Sequence, residues 1–303
     1  MATSEGLVAW SNAANQRQTY PYFLIDSAQH EGSYKWLEKW NIPYLSLFEG
    51  QREESLIEIA PLLIPLNQLD PIGLERLANW ATELGLKSPC FSWMESSLPV
   101  DQLSAHLRNF HNVGLSDGQK MMLRWYDTRI LPVWLACLED KQLEQFTGSI
   151  FGLNFLNRFG DEVAAFESNE PSASSTPLPL GKPVVTLDDR QLGMLVDAGD
   201  LDTLLTHLRR VITDETNRLS QRVLYKFVGK YQQRAVEAGV TDIDRQSQYV
   251  LLALYTSGAG VEHPLCQELM ADPPKELDEF FEKMQGLPVD AWESGPPLWP
   301  INS

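Results

Sequence analysis

The chain has 303 residues, and its 41 Asp and Glu residues outnumber its 24 Lys and Arg residues, which gives a formal net charge of −17 at neutral pH. A chain this acidic lacks the positive field that attracts nucleic acids or anionic membranes, so we expect neither as a partner. Hydrophobic residues make up 43% of the sequence, which is enough for globular cores, and the length favours two lobes.

The start of the chain does not resemble a secretory signal, because Glu5 stands where such signals carry positive charge. The apolar runs are also far shorter than the roughly 18 residues that a membrane-spanning helix needs. We therefore expect a cytoplasmic protein. Cys90, Cys137 and Cys266 are widely separated and form no CxxC pair, which favours reduced thiols over a disulfide framework or a zinc site.

The first part of the chain, up to about residue 167, alternates strand and helix patterns. Asp70 and Pro71 provide an N-cap and a first-turn proline for a helix that ends at Gly85. The predicted elements are strands over 20–26, 43–48, 90–94 and 121–126, helices over 33–40, 71–85, 99–110 and 128–138, and a hairpin over 149–167 that turns near 157–161. This order predicts an α+β or α/β lobe, with a small mixed sheet and flanking helices.

The composition changes over residues 168–183, where the sequence SNEPSASSTPLPLGKP is rich in Ser and Pro and indicates a linker or long surface loop. Beyond it the periodicity is helical, with helices predicted over 188–198, 200–212, 214–238 and 242–257 and a last one after 272–274. We therefore expect an α/β lobe over 1–167, a linker over 168–183 and an all-α lobe over 184–303.

The catalytic motifs GxxxxGK[ST], GxGxxG and HExxH are absent from the sequence. The best catalytic candidates are Asp26 with His30 at a strand end, and the cluster of Arg124, Asp127 and Arg129. A structural role stays open for both carboxylates. Asp26 would cap the turn after its strand, and Asp127 would N-cap the helix over 128–138.

Histidine and tryptophan do not indicate a ligand site. No pair of histidines has metal-ligand spacing supported by carboxylates or thiolates, so we expect no metal and no cofactor. Trp36, Trp40, Trp80 and Trp134 occur at helical positions among apolar residues, which predicts packing in the core.

A basic ridge is predicted on the third helix of the second lobe. Its members recur every four residues and are Arg218, Arg222, Lys226, Lys230 and Arg234, beside an apolar face of Leu219, Val223, Phe227 and Tyr231. Two interpretations remain open. Acidic side chains of the same lobe, such as those after residue 262, could neutralise the ridge, or the ridge could dock an acidic partner.

Six sequence blocks of the first lobe occur in a characteristic order. They are FLIDSA (23–28), LSLFEG (45–50), IAPLLI (59–64), LSAHLR (103–108), LRWYDTRIL (123–131) and FTG (146–148). In this set the chain resembles the adaptor chaperones of the bacterial type VI secretion system, which load toxic effectors onto the spike protein VgrG. That family usually has proline after the aspartate of the fifth block, where this chain has Thr128. Threonine can adopt the same helical φ, so the departure is mild.

The resemblance implies a non-enzymatic protein of the bacterial cytoplasm, with a cognate effector and VgrG as partners. It carries no catalytic residue onto this chain. The motif residues have structural roles in this view: Asp26 and Asp127 cap turns, Phe48 lies in the core, Gly50 makes a turn, and Arg124 and Arg129 belong to the fifth block.

The helical lobe would discriminate among effectors. The residues that we expect to contact the effector are Leu219, Val223, Phe227 and Tyr231, with the flanking Arg222, Lys226 and Lys230. An enzyme of unknown class that uses Asp26, His30 and the cluster of Arg124, Asp127 and Arg129 is the alternative. A scaffold protein without cargo is the third hypothesis.

Overall fold

The computed structural model describes residues 4–85, 87–168 and 183–300. The chain forms two compact units, Met1–Leu195 and Val196–Ser303, here called unit 1 and unit 2. Apart from its two end residues, the predicted linker over 168–183 lies outside the described residues. Among the residues that are described, no helix is both long and apolar enough to cross a membrane.

Unit 1 is built on a six-stranded sheet in which all strand pairs are antiparallel. Its strands are β1 (Tyr20–Asp26), β2 (Leu45–Ser46), β3 (Pro61–Pro65), β4 (Phe91–Ser96), β7 (Ile150–Leu156) and β8 (Glu162–Glu167), in the spatial order β2-β3-β1-β4-β7-β8. Phe23 of β1 lies opposite Ile64 on one side and Trp93 on the other. The strand β1 is therefore central, and its last residue, Asp26, lies inside the unit.

Three strands of this sheet are almost completely buried. Buried strands have near-continuous apolar sequences, as in the run PLLIP of β3. The helices of unit 1 are α1 (Ser4–Gln16), α2 (Ser33–Lys39), α3 (Pro71–Gly85), α4 (Val100–Arg108), α5 (Leu131–Cys137) and α6 (Asp140–Thr147). A second, three-stranded sheet consists of β5 (Asn112–Leu115), β6 (Lys120–Met122) and β9 (Thr186–Leu187), and β5 and β9 are parallel.

Unit 2 is helical in its described part. The helix α7 (Asp189–Val211) has residues on both sides of the boundary between the units, and the following helices are α8 (Thr213–Asn217), α9 (Gln221–Glu237), α10 (Ile243–Tyr255), α11 (Pro264–Ala271), α12 (Leu277–Gln285) and α13 (Val289–Trp292). The helices α9 and α10 pack against each other, and α10 also packs against α12. The predicted fold class, a sheet with flanking helices followed by an all-α part, is confirmed.

The first and third predicted strands, the helix over 71–85 and the hairpin over 149–167 are also confirmed in their positions. Two predicted strands are wrong over most of their length. The segment 43–48 pairs only at Leu45–Ser46, and the segment 121–126 leaves the strand after Met122 because Trp125 and Tyr126 turn into the core, where both are buried.

The helix boundaries of the second half also differ from the prediction. The helices predicted over 188–198 and 200–212 are one continuous helix, α7. The helix predicted over 214–238 is two helices, because Ser220 is the N-cap of α9 and its side chain accepts a hydrogen bond from the amide of Val223. The sequence patterns did not predict α1, α6 or α11.

Candidate functional site

The carboxylate of Asp26 lies at the end of β1 and is completely buried. Its Oδ1 accepts a hydrogen bond from the Ala28 amide at 3.2 Å, and so it caps the 3-10 turn Ser27–Gln29 as predicted. Its Oδ2 accepts a hydrogen bond from Nη2 of Arg124 at 2.6 Å. The central strand is thereby tied to the segment that carries the fifth sequence block.

Asp127 is the second buried carboxylate of this region. It accepts hydrogen bonds from the backbone amide of Arg129 at 3.0 Å and from Nε and Nη2 of the same residue at 2.9 and 2.7 Å. Nη2 of Arg124 lies 3.5 Å from its Oδ2, and Nε2 of Gln29 donates to Oδ2 at 3.2 Å. The prediction that Asp127 is the N-cap of the following helix is wrong, because α5 begins at Leu131 with Ile130 as N-cap. Asp127 instead caps the turn before α5.

Asp26, Arg124, Asp127 and Arg129 together form what we call the Asp26 cluster. Burial raises the pKa of Asp26 to about 6, although the charge of Arg124 acts to lower it. Burial acts to lower the pKa of Arg124, but the charges of Asp26 and Asp127 outweigh it and raise that pKa. The oxygens of both carboxylates accept hydrogen bonds from protein donors. This arrangement stabilises a connection between two chain segments.

His30, the proposed partner of Asp26 in catalysis, is engaged elsewhere. Its Nδ1 lies 3.1 Å from Oγ of Ser33, and its ring meets the ring of Trp80 edge-on at 5.9 Å. Within the described residues, no hydrogen bond joins His30 to the Asp26 cluster. The described residues also contain no group of three or more His, Cys, Asp or Glu side chains that could hold a metal ion.

Phe48 and Gly50 follow β2 and have the positions that the motif suggests. Phe48 is buried, and its ring meets that of His111 edge-on at 5.8 Å. Gly50 has a φ of +70°, and a Cβ added there would meet no other atom within 4 Å. Glycine is favoured at this turn by its backbone conformation and not by crowding.

The predicted effector-contact residues lie on or just before α9, and they do not share one environment. Val223 is exposed, Leu219 and Phe227 are half-buried, and Tyr231 is buried in the core of unit 2. The buried face of α9 consists of Leu224, Val228, Tyr231, Gln232 and Ala235. The apolar residues chosen from the sequence therefore lie along the edge of the helix that borders this face.

The cations of α9 lie on its solvent side. Arg222, Lys226 and Lys230 are exposed, and we call them the α9 basic surface. Nη1 of Arg234 forms an ion pair with Oε1 of Glu262 at 2.6 Å. Nζ of Lys230 lies 4.9 Å from the centre of the Tyr231 ring. Arg234, at the end of the ridge, is thus neutralised within the unit.

One group of partly exposed side chains was not predicted from the sequence pattern. Trp134 is buried as predicted, whereas Trp36 is 41% exposed and Trp40 and Trp80 are half-buried. The core prediction is wrong for Trp36, because the outer side of α2 is open to solvent, whereas Trp40 and Trp80 pack against the core of unit 1 with one side partly open to solvent. A sequence signal existed, since Trp36 and Trp40 are flanked by Lys35, Glu38 and Lys39.

Residues 21–145 match the model of a family described as Domain of unknown function (DUF4123). The matched segment begins in β1 and ends in α6. It contains the Asp26 cluster, Phe48 and Gly50, and it does not contain α9. No curated protein and no solved structure matches the chain. The DUF4123 segment therefore covers five of the six sequence blocks, and unit 2 lies outside it.

Proposed function

We propose that this protein is an adaptor chaperone of a bacterial type VI secretion system, which binds a cognate toxic effector in the cytoplasm and promotes its loading onto the VgrG spike. The observation that carries the proposal is the DUF4123 match over residues 21–145. It coincides with the region in which five of the six quoted blocks lie. The sixth block begins at residue 146.

A non-enzymatic role forms part of this proposal. A catalytic carboxylate needs a position from which it can reach a substrate. Asp26 and Asp127 are buried and accept hydrogen bonds from Arg124, Arg129 and backbone amides. The cleft that His30 lines has neither carboxylate among its lining residues. These contacts favour a structural role for the Asp26 cluster over the enzyme hypothesis.

The α9 basic surface is the proposed docking site for the effector. Among the described residues, no acidic side chain forms an ion pair with Lys226 or Lys230 within 4 Å. The exposed Val223 and the half-buried Phe227 provide apolar area beside these cations. An amphipathic helix or extended segment with acidic flanks would match both features. The position of this surface outside the DUF4123 segment suits a part of the protein that differs from one effector to another.

Co-expression with the product of the neighbouring toxin gene tests the function directly. We expect the two proteins to co-purify and a tagged VgrG to capture the effector only when the adaptor is present. Absence of both complexes, with all proteins soluble and folded, would contradict the proposal.

Charge reversal tests the docking surface separately. The double variant Lys226→Glu with Lys230→Glu should weaken effector binding by roughly tenfold or more, because two attractive contacts become repulsive. The matched control is Arg52→Glu with Lys120→Glu, which changes the net charge equally at exposed positions of unit 1. Equal binding by the two double variants would rule out the α9 basic surface while leaving the adaptor function open.

A further inference from the structure

A surface cleft of unit 1 contains three tryptophans. The cleft has a volume of about 610 Å³ and lies between the end of α2 and the solvent side of α3. The ring centres of Trp36 and Trp40 are 5.5 Å apart with the planes inclined at 43°, and those of Trp40 and Trp80 are 5.5 Å apart at 81°. We call this feature the tryptophan cleft. Because successive rings are inclined to one another, they form ridges and grooves instead of a flat stack.

The polar atoms of these rings are available to a ligand. Trp36 is 41% exposed, and Trp40 and Trp80 are half-buried. In the part of the chain that the structure describes, none of the three indole N–H groups donates a hydrogen bond to another residue. An indole with an apolar body and an unused N–H donor is typical of binding surfaces, where it contacts apolar groups and donates to a backbone carbonyl.

Cations surround the rings. Nζ of Lys39 lies 4.9 Å from the centre of the Trp36 ring, and the guanidinium carbon of Arg76 lies 6.0 Å from that of Trp40. Lys87 is exposed and also lines the cleft. Within the described residues, no acidic side chain forms an ion pair with Arg76 or Lys87. Since the protein's own cations already occupy the ring faces, the cleft disfavours a cationic ligand and favours an anionic one.

We propose that the tryptophan cleft binds an extended, proline-containing acidic segment of a protein partner. Extended proline-rich segments dock into aromatic grooves, where the proline rings fill the spaces between aromatic side chains and indole N–H groups bond the free backbone carbonyls. Carboxylates of the segment would pair with Arg76 and Lys87. The inference deepens the proposed function, and rests on it, because the bound effector would supply the segment.

A single-stranded nucleic acid also stacks on aromatic side chains, but the charge of this protein opposes it. Binding of nucleic acid is driven by neutralising many phosphates. This chain has a net charge of −17, and the cleft itself contains Glu83 beside its cations. A short segment with one or two carboxylates needs only local neutralisation, which Arg76 and Lys87 can provide.

Fluorescence anisotropy of labelled probes, titrated with the full chain, tests the inference. The first probe is a peptide of about 12 residues that repeats Pro-Pro-Asp and adopts the extended polyproline conformation. The second probe has Lys in place of each Asp, and the third is an oligouridylate of similar length. We expect the acidic peptide to bind at least roughly tenfold more tightly than the other two probes.

Two variants then locate the binding site. Trp36→Ala and Arg76→Glu should each weaken binding of the acidic probe by roughly tenfold, because the first removes a stacking surface and the second reverses a charge. The controls Ile72→Ala and Arg52→Glu change exposed residues that do not line the cleft, and they should bind like the wild type.

Three results would overturn the inference: no binding of the acidic peptide at millimolar concentration, equal or tighter binding of the basic peptide or the oligouridylate, or unchanged binding by Trp36→Ala and Arg76→Glu. The peptide titration needs no effector. Its result is therefore independent of the co-purification experiment, and a failure of the adaptor function can be told apart from a failure of the cleft.

Discussion

The two units differ in the kind of polar group that they bury. Unit 1 buries the titratable side chains Asp26, Glu95, His111 and Asp127. In the described part of unit 2, every buried polar side chain is neutral, and these residues are Thr216, Gln232, Gln246, Ser247 and Thr256. Unit 1 therefore uses charge to fix its interior, whereas unit 2 leaves its charged residues, including the α9 basic surface, outside the core.

This difference has consequences for specificity and for pH dependence. A buried ion pair is costly to desolvate, but it fixes the segments that it joins, and its loss leaves a partly buried charge without a partner. A neutral amide network fixes its neighbours without titrating. Gln232 donates to Gln246 at 3.2 Å, and Gln246 donates to the carbonyl of Val240 at 3.0 Å. Changes in pH below neutrality should therefore act mainly on unit 1.

The largest effect is expected for Asp26→Ala. This substitution removes the 2.6 Å hydrogen bond from Arg124, while the 3.5 Å contact of Arg124 with Asp127 remains, and it removes the cap of the turn Ser27–Gln29. We expect the free energy of unfolding of unit 1 to fall by about 2–4 kcal/mol. Urea titration followed by tryptophan fluorescence measures it, because seven of the nine tryptophans lie in unit 1.

Asp26→Asn is the matched control, since asparagine keeps the shape and an acceptor for the Ala28 amide while losing the charge. Asparagine keeps the cap of the turn and loses the charged hydrogen bond from Arg124, so the asparagine variant should lose less stability than the alanine variant. Equal losses in the two variants would mean that the charge itself, and not the hydrogen bonding, stabilises this end of the sheet.

The next effect is a change in pH dependence for His111→Leu. Burial, with a smaller contribution from the charge of Arg108, lowers the pKa of His111 to about 3, and neither of its ring nitrogens has a hydrogen-bond partner among the described residues. Between pH 6.5 and 3 the unfolded chain binds a proton that the folded chain does not bind. The part of the stability that depends on neutral His111 is therefore complete above pH 6.5 and falls as the pH decreases.

In His111→Leu this acid loss should be smaller by about 1–3 kcal/mol between pH 6.5 and pH 4. Asp26 acts in the opposite direction, because its raised pKa makes its contribution decrease as the pH rises from about 4 to 6. That contribution is common to wild type and variant and cancels in the comparison. Phe48→Leu alters the packing of the same ring contact without removing a titratable group, so it should keep the wild-type slope.

Gln246→Ala tests the neutral interior of unit 2. The variant removes the bonds to Gln232 and to the Val240 carbonyl, and it leaves buried polar atoms without partners. We expect the stability of unit 2 to fall by about 1–2 kcal/mol. The loss, followed by the helical circular dichroism signal, should be the same at pH 5 and pH 7. A loss of stability that changes with pH would contradict the proposed difference between the two units.

The sequence predicted the fold best where local signals and burial agree. The helix over 71–85 has an N-cap, a first-turn proline and a single apolar face, and the structure reproduces all three. The strand 20–26 is mostly apolar up to its last residue, Asp26, and lies in the middle of the sheet. In contrast, the apolar residues Trp125 and Tyr126 imitate a strand but belong to a buried turn. Residue pattern alone cannot distinguish these two environments, since both are buried.

The site predictions were also correct where the signal is local and failed where it depends on distant residues. Asp26 caps the turn after its strand as predicted, because an aspartate at that position has a local role, whereas Asp127 caps the turn before α5 and not the helix itself. Their joint contact with Arg124 depends on residues 98 positions apart in the chain, which no local pattern reveals. On α9 the i, i+4 spacing located the cations correctly. The buried face of the helix, however, is formed by residues that include Leu224 and Val228, because α10 packs against that side.

The smallest effect on stability is expected for Lys226→Glu. This variant also gives the sharpest test of the difference between the two units. The new carboxylate lies four residues from both Arg222 and Lys230, so two repulsive pairs become attractive, and unit 2 should be stabilised by about 0.4–1 kcal/mol. Binding of an acidic effector segment should weaken in the same variant. By contrast, Arg234→Glu breaks the pair with Glu262 at 2.6 Å and should destabilise unit 2 by up to about 1 kcal/mol. If Lys226→Glu destabilised unit 2, this lysine would support the fold as the Asp26 cluster does, and its surface would not be reserved for a partner.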